Sequence, residues 1–161
     1  MGCKKGAAVI ELLNLDCVEY MKTRKDKEFD IAIVDPPYGI RASMGVGLHS
    51  RRKYQKAGKE WDDQTPTAEY WEQLFRVSKN QIMWEGGSIH PTQKPVGLYN
   101  WLLQTYAKEG DKILDTHLGG ASIAIACHYR GFDLVGCEID EQYYNNALKR
   151  FKEQTAQMRL L

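Results

Sequence analysis

Residues 29–38 read Phe-Asp-Ile-Ala-Ile-Val-Asp-Pro-Pro-Tyr. Ile31, Ala32, Ile33 and Val34 form a short apolar run, the mark of a strand buried on both faces of a parallel sheet. Two prolines cannot continue a central strand, because neither has an N–H to give to the ladder. The chain must therefore leave the sheet at Asp35. This delivers a carboxylate, the stiff Pro36-Pro37 backbone and the Tyr38 ring to the carboxyl end of a strand, where open α/β sheets bind ligands.

Upstream of this stretch, Ala8 to Leu13 reads as another strand. Asp16 and Glu19 then stand three apart, the spacing of a helix N-cap with its reciprocal partner. Downstream, Gly39 to Glu60 holds four glycines and no clear period, with Arg41, Arg51, Arg52, Lys53, Lys56 and Lys59 against the single acid Glu60. So long a loop is either a solvated basic segment or a flap over a phosphate backbone. Thr65-Pro66 predicts a helix with proline at its first position, carrying Tyr70, Trp71, Leu74 and Phe75 on one side. Gln81 to Trp84 predicts a strand, and a further helix follows through Leu98, Trp101, Leu102 and Tyr106. Lys112 to Leu114 and Leu134 to Cys137 predict two more strands, separated by a helix over residues 121–129. Asp140 is placed to cap a last helix running to about Gln154. Strands alternate with helices throughout. The pattern predicts a doubly wound, mainly parallel α/β sheet with helices on both faces.

The chain has 161 residues, enough for one domain with a real core, and no repeat or linker divides it. Its 27% charged and 43% hydrophobic residues are an ordinary soluble balance, and a net charge of +1 argues neither for nor against a polyanionic partner. Cys3, Cys17, Cys127 and Cys137 show no metal-like spacing and read as free thiols in a reducing compartment. No apolar run approaches a membrane span, and the opening MGCKKG has no signal-peptide core. A cytoplasmic protein is expected.

The second half carries a nucleotide-binding pattern. A strand ends in Asp115, the pair Gly119-Gly120 turns into a helix, and the next strand ends in Glu138, nineteen residues after Gly119. Glycines let a ligand approach the backbone, a helix start offers free N–H groups, and the acid can accept hydrogen bonds from ribose hydroxyls. The pattern is Gly-Gly-Ala and lacks a pyrophosphate grip, so a nucleoside-type cofactor fits better than a dinucleotide.

Asp35-Pro36-Pro37-Tyr38, His90-Pro91-Thr92-Gln93-Lys94-Pro95, Asp115 to Ser122 and Glu138 together resemble the β-class, circularly ordered amino-methyltransferases that methylate adenine N6 in DNA. Asp-Thr-His-Leu-Gly at 115–119 is similar to the phage and prophage versions. The resemblance runs from Val9 to Phe151. It implies S-adenosylmethionine as methyl donor, DNA as partner with the target base flipped out of the duplex, and no metal. It implies a Rossmann-like methyltransferase sheet of order 3-2-1-4-5. In that numbering strand 1 is Lys112 to Leu114, strand 2 Leu134 to Cys137, strand 3 Ala8 to Leu13, strand 4 Ile31 to Val34 and strand 5 Gln81 to Trp84. A catalytic half (about 8–87) would precede a cofactor half (about 88–155) in a single domain over 1–161.

By position, Glu138 would bind ribose. Asp115, Thr116, His117, Gly119, Gly120, Thr92 and Lys94 would line the rest of the cofactor site. Asp16 would lie near the cofactor's adenine, unless it is only the helix cap. Asp35 and the Pro36 carbonyl would accept N–H bonds from the target amine, with Pro37 stiffening the turn and Tyr38 stacking on the base. An Asp at the motif's first position favours adenine over cytosine N4. Arg41, Arg51, Arg52, Lys53 and Lys56 would contact DNA.

Two departures from the family pattern stand out. Ala121 takes the second glycine position of the cofactor loop, where a positive φ would strain it, and His117 replaces a usual Phe, most simply as packing. Between Trp84 and His90 only five residues remain where the family usually inserts its target-recognition region. Trp84 would then end an exposed edge strand. A methyltransferase and a cofactor-binding remnant are both compatible with this shortening. Oligomeric state is open, a dimer included.

Overall fold

The computed structural model describes residues 8–37, 65–84 and 94–156. The basic stretch around residues 39–60 and the short junction at 85–93 lie outside the described residues. Ten elements alternate along the described chain: β1 (Ile10–Leu13), α1 (Cys17–Lys22), β2 (Phe29–Val34), α2 (Ala68–Val77), β3 (Ser78–Met83), α3 (Val96–Tyr106), β4 (Lys112–Asp115), α4 (Ser122–Arg130), β5 (Asp133–Cys137) and α5 (Glu141–Thr155). The strands form one five-stranded sheet in the order β1-β5-β4-β2-β3, every pair parallel. Renumbered as in the family, this order reads 3-2-1-4-5. β3 forms one edge among the described strands.

Side-chain alternation along the strands feeds two cores. Ile31, Ile33, Ile113 and Leu134 pack with Tyr99, Leu102 and Leu103 of α3, Ile123 and Ala124 of α4 and Ala147 of α5. Ala32, Val34, Leu114, Val135 and Cys137 pack on the other face with Tyr20 and Met21 of α1 and Tyr70, Leu74 and Val77 of α2. The central strands are apolar between their polar ends because both faces are covered, which is why 31–34 shows no alternation.

Local chemistry sets the helix starts, and here some expectations are corrected. α2 begins at Ala68, after Pro66, because the Thr67 hydroxyl accepts the Tyr70 N–H and caps the helix. Asp16 caps α1 through the N–H groups of Val18 and Glu19, while Glu19 turns to Lys22 at 2.9 Å instead of closing a reciprocal box. In α3 the buried face is Tyr99, Leu102 and Leu103; Trp101 is 54% exposed and packs edge-on against Tyr106. In α2 the buried face runs Tyr70, Leu74 and Val77, leaving Phe75 exposed. β3 starts at Ser78, directly at the end of α2, and stops at Met83. No helix among the described residues is long and apolar enough to cross a membrane.

β4 turns into α4 through Thr116–Ala121, and Leu118 is the apolar anchor of that loop. Its N–H donates to Cys137 O at 2.9 Å, and its side chain is buried against β5. Gly136 makes room for it: a Cβ there would lie 2.8 Å from Leu118 Cδ1 and 3.4 Å from Leu12 Cδ2. Gly136→Ala is therefore expected to push Leu118 off the sheet and cost about 1–3 kcal/mol in urea unfolding, the range for overpacked cores. Unchanged stability would mean that Leu118 is not what seats the loop.

Candidate active site

Because every strand is parallel, β2, β4 and β5 deliver their carboxyl ends to one edge of the sheet. Asp115 is the last residue of β4, while Asp35 and Glu138 follow β2 and β5 directly. Connections leave β2 and β4 toward opposite sides, β2 toward the β3 edge and β4 toward β5, so a crevice opens between them.

Glu138 is the clamp of this edge. Its Oε2 accepts the Gly119 N–H at 3.0 Å and its Oε1 accepts the Asp140 N–H at 3.0 Å. Its own N–H donates to Leu13 O at 3.0 Å. Burial nevertheless holds its carboxyl above the ordinary carboxylate value, since two backbone bonds do not replace its hydration. Ile139, next in the chain, is 62% exposed beside it.

The loop clamped by Glu138 holds two left-handed residues, Gly119 at φ 51° and Ala121 at φ 57°. The strain expected at Ala121 is present, at a cost of about 1 kcal/mol for a non-glycine residue. The Arg150 guanidinium, from α5, stabilises the turn by donating to Gly120 O and, at 3.0 Å, to Ser122 Oγ.

Asp115 is buried, and its Oδ1 accepts the His117 N–H at 3.0 Å. Burial raises its pKa from the ordinary 3.8 to about 7; the Asp35 and Glu138 charges push the same way, and Lys94 and the His117 N–H oppose them. His117 is held down at about 4 by desolvation. Its Nδ1 lies 2.9 Å from Thr116 Oγ1, which in turn lies 2.8 Å from Tyr70 Oη, a buried chain from α2 to the loop. The Tyr70 and His117 rings are 5.6 Å apart. This supports packing for His117.

Asp35 is bonded through Oδ2 to the Lys94 ammonium. Lys94 also lies 5.2 Å from the ring centroid of Trp84, whose backbone N–H donates to Val34 O at 3.2 Å. The Trp84 indole N–H is buried without a hydrogen-bond partner among the described residues. Tyr99 stands edge-on to that indole.

Of the residues singled out in the sequence, Asp35, Pro36, Pro37, Lys94, Asp115, Thr116, His117, Gly119, Gly120 and Glu138 lie around this edge. Asp16 is seen as the α1 cap. Tyr38, Thr92, Arg41, Arg51, Arg52, Lys53 and Lys56 lie outside the described residues. Sequence reasoning missed the roles of Tyr70, Trp84, Ile139 and Arg150. Only Ile139 had a local signal, an apolar residue between Glu138 and Asp140. The thiols of Cys17, Cys127 and Cys137 are free, and burial pushes each up, Cys17 to about 12, so none is a ready nucleophile.

This is an α/β fold with three carboxylates, Asp35, Asp115 and Glu138, at the carboxyl edge of a parallel sheet. Comparison with known proteins narrows the class. Residues 72–149 match the family model N6_N4_Mtase, DNA methylase. The chain is 33% identical over 61 residues to the type II methyltransferase M.HpaI of Haemophilus parainfluenzae, covering 38% of this chain and 19% of that protein. It is 30% identical over 94 residues to the type II methyltransferase M2.DpnII of Streptococcus pneumoniae, covering 58% and 34%. The chain thus spans about a third or less of these curated relatives.

Among solved structures, a Thermus thermophilus protein provisionally assigned as a DNA modification methylase, in complex with S-adenosyl-L-methionine, superposes with TM-score 0.63 at 13% identity over 94% of this chain and 98% of that one. The cytosine-N4-specific PvuII DNA methyltransferase superposes with TM-score 0.52 at 10% identity, over 95% and 93%. The sequence matches are thus to DNA methyltransferases over part of the chain, and the solved structures share its fold.

The raised pKa of Asp115 has a definite sign. Between about 4 and about 7 the folded chain keeps a proton that the unfolded chain has lost, so Asp115 makes the protein progressively less stable as pH rises across that window. Urea unfolding of wild type and Asp115→Asn is expected to diverge there, the wild type losing a few kcal/mol relative to the variant. Parallel curves would place an ionised Asp115 in the fold at low cost.

Proposed function

We propose that the chain is an S-adenosylmethionine-dependent methyltransferase acting on adenine N6 in double-stranded DNA, with the target base flipped out. The observation that carries this reading is the meeting of Asp35-Pro36-Pro37 from β2 with Asp115 and Glu138 from β4 and β5 at one crevice. The residues suit the cofactor. Glu138 keeps acceptor capacity for ribose hydroxyls, and exposed Ile139 suits a flat base, with Asp16 near by. Asp115, Thr116 and the Gly119-Gly120 turn suit the amino-acid end, together with Thr92. The excess of carboxylates favours a cation. When bound, the cofactor supplies a methyl group on a sulfonium that leaves as a neutral thioether.

The chain's own part is positioning. Asp35 accepts one N–H of the target amine and the Pro36 carbonyl the other, which turns the nitrogen lone pair toward the methyl group. The nitrogen sheds one proton as the new N–C bond forms, and Asp35 is placed to pass it to solvent. Pro37 keeps the turn stiff, and Tyr38 offers a ring for the flipped base. Arg41, Arg51, Arg52, Lys53 and Lys56 supply phosphate contacts that hold DNA without reading it. We also infer a single domain of the β-class, phage type in which the shortened junction before His90 stands where a recognition insertion would lie. Such a chain methylates with little sequence preference.

Cytosine N4 is the second reading, favoured by the match to a family that embraces both amines. Digestion of DNA incubated with labelled S-adenosylmethionine separates the two: label in N6-methyladenine is expected, label in N4-methylcytosine selects the second, and no label on any base rejects both. Asp35→Ala is expected to lower transfer by at least about a hundredfold, while cofactor affinity changes by less than about threefold. A collapse of cofactor affinity would reverse the assignment of Asp35. Charge reversal at Arg51 and Arg52 is expected to weaken DNA binding and flatten its dependence on salt; unchanged binding would remove that segment from the DNA contact.

A further inference from the structure

We propose that Lys94 is a positioning residue for Asp35, and not a ligand of the cofactor's amino-acid end. The proposal rests on the methyl-transfer reading of Asp35. Lys94 and Asp35 stand 59 residues apart, yet the ammonium bonds Asp35 Oδ2. The two side chains are 26% and 39% exposed, so water screens the pair only in part. Three features of the fold hold Lys94 in this place.

The first is Pro95, which confines the residue before it to extended backbone and itself forms the N-terminal boundary of α3. The second is the Trp84 ring beside the ammonium, at 5.2 Å from its centroid. Trp84 is tied by its backbone N–H to Val34 O, the residue before Asp35, so plate and carboxylate move together. The third is the absence of any nearer countercharge on α3. Its first turn has no acidic residue, and a helix N-terminus repels a cation. A lysine here lowers the stability of its own helix start, and the carboxylate that compensates it belongs to another strand.

The consequence falls on Asp35. A carboxylate on one methylene can rotate about its last bond; a charge-assisted bond to Oδ2 fixes its plane. Oδ1 has no hydrogen-bond partner among the described residues, which leaves it for the incoming amine. The same ammonium offsets the repulsion between Asp35 and Asp115 across the crevice, where the Asp35 charge raises the Asp115 carboxyl and Lys94 lowers it. Lys94 thus sets which oxygen of Asp35 is offered and keeps the two acids compatible.

The test compares wild type with Lys94→Met and Lys94→Arg, measuring methyl transfer from labelled S-adenosylmethionine and calorimetric binding of the same cofactor. Lys94→Met is expected to lower kcat about ten- to a hundredfold, with cofactor affinity held within about twofold, because only the aim of the carboxylate is lost. Lys94→Arg is expected to recover part of the loss. Cofactor affinity falling in step with transfer would make Lys94 a cofactor ligand and overturn the proposal, as would unchanged kcat. Side-chain ¹⁵N NMR of the unliganded protein reads the contact without any reaction and without a Lys94 variant. Asp35→Asn is expected to shift the Lys94 ammonium signal; an unmoved signal overturns the proposal even if Lys94→Met fails to fold. A wild-type chain that transfers no methyl group while that signal still moves would instead overturn the methyl-transfer reading, leaving Lys94 no reaction to serve.

Discussion

The carboxylate of Glu138, reaching from the end of β5 to the Gly119 N–H beyond β4 and to the Asp140 N–H ahead of α5, is the interaction on which the candidate site depends. It ties together the two loops that follow the paired strands β4 and β5. Without it the Thr116–Ala121 turn would still be held by Leu118 beneath, by Tyr70 on Thr116 and by Arg150 from α5, but nothing among these contacts reaches Gly119. Gly119 is left-handed and Ala121 shares that conformation, so the turn stores strain that the clamp offsets. The same carboxylate is the natural partner for ribose hydroxyls, which makes one side chain both the support of the loop and a proposed ligand contact.

Charge is the second constraint. Among the described residues, Asp35, Asp115 and Glu138 converge on one crevice with the ammonium of Lys94 among them. Such an excess of carboxylates is costly where one of them is buried, and Asp115 relieves it by holding a proton up to about pH 7. A ligand carrying positive charge relieves it differently, by restoring balance with all three acids ionised. Charge alone thus favours a cationic ligand there, in keeping with the sulfonium-bearing cofactor proposed above. The same charge balance accounts for Lys94 just ahead of α3, an end that the helix dipole alone disfavours for a cation.

Much of this architecture was legible in the sequence. The short runs at 31–34, 113–114 and 134–137 announce buried parallel strands, because helices on both faces leave no solvent side to mark with polar residues. Asp115, Glu138 and Asp35 were legible as acids closing those strands. Ala121 was legible as a residue out of place. What could not be read were contacts made across the fold. Lys94 on Asp35, Tyr70 on Thr116 and Arg150 on Gly120 join residues 59, 46 and 30 positions apart, and no local pattern encodes them. The α3 face was misread for a related reason: Tyr99, Leu102 and Leu103 are buried because the sheet and α4 together decide which side is covered, whereas Trp101 and Tyr106 shield each other at the surface. The start of α2 turned on a single hydroxyl, that of Thr67, which takes the capping position one residue after Pro66 and leaves the proline outside the helix.

Amide NMR of the 161-residue chain during titration with S-adenosylmethionine tests the central assignment most directly, because it needs neither DNA nor turnover. The largest shifts should fall on Thr116 to Gly120 and on Glu138 to Asp140, with smaller ones at Asp35 and Lys94. The opposite ends of the same strands, at Asp30, Lys112 and Asp133, should stay still. Shifts centred on those amino ends, or no shifts at millimolar cofactor, would contradict a cofactor site at the carboxyl edge of the sheet.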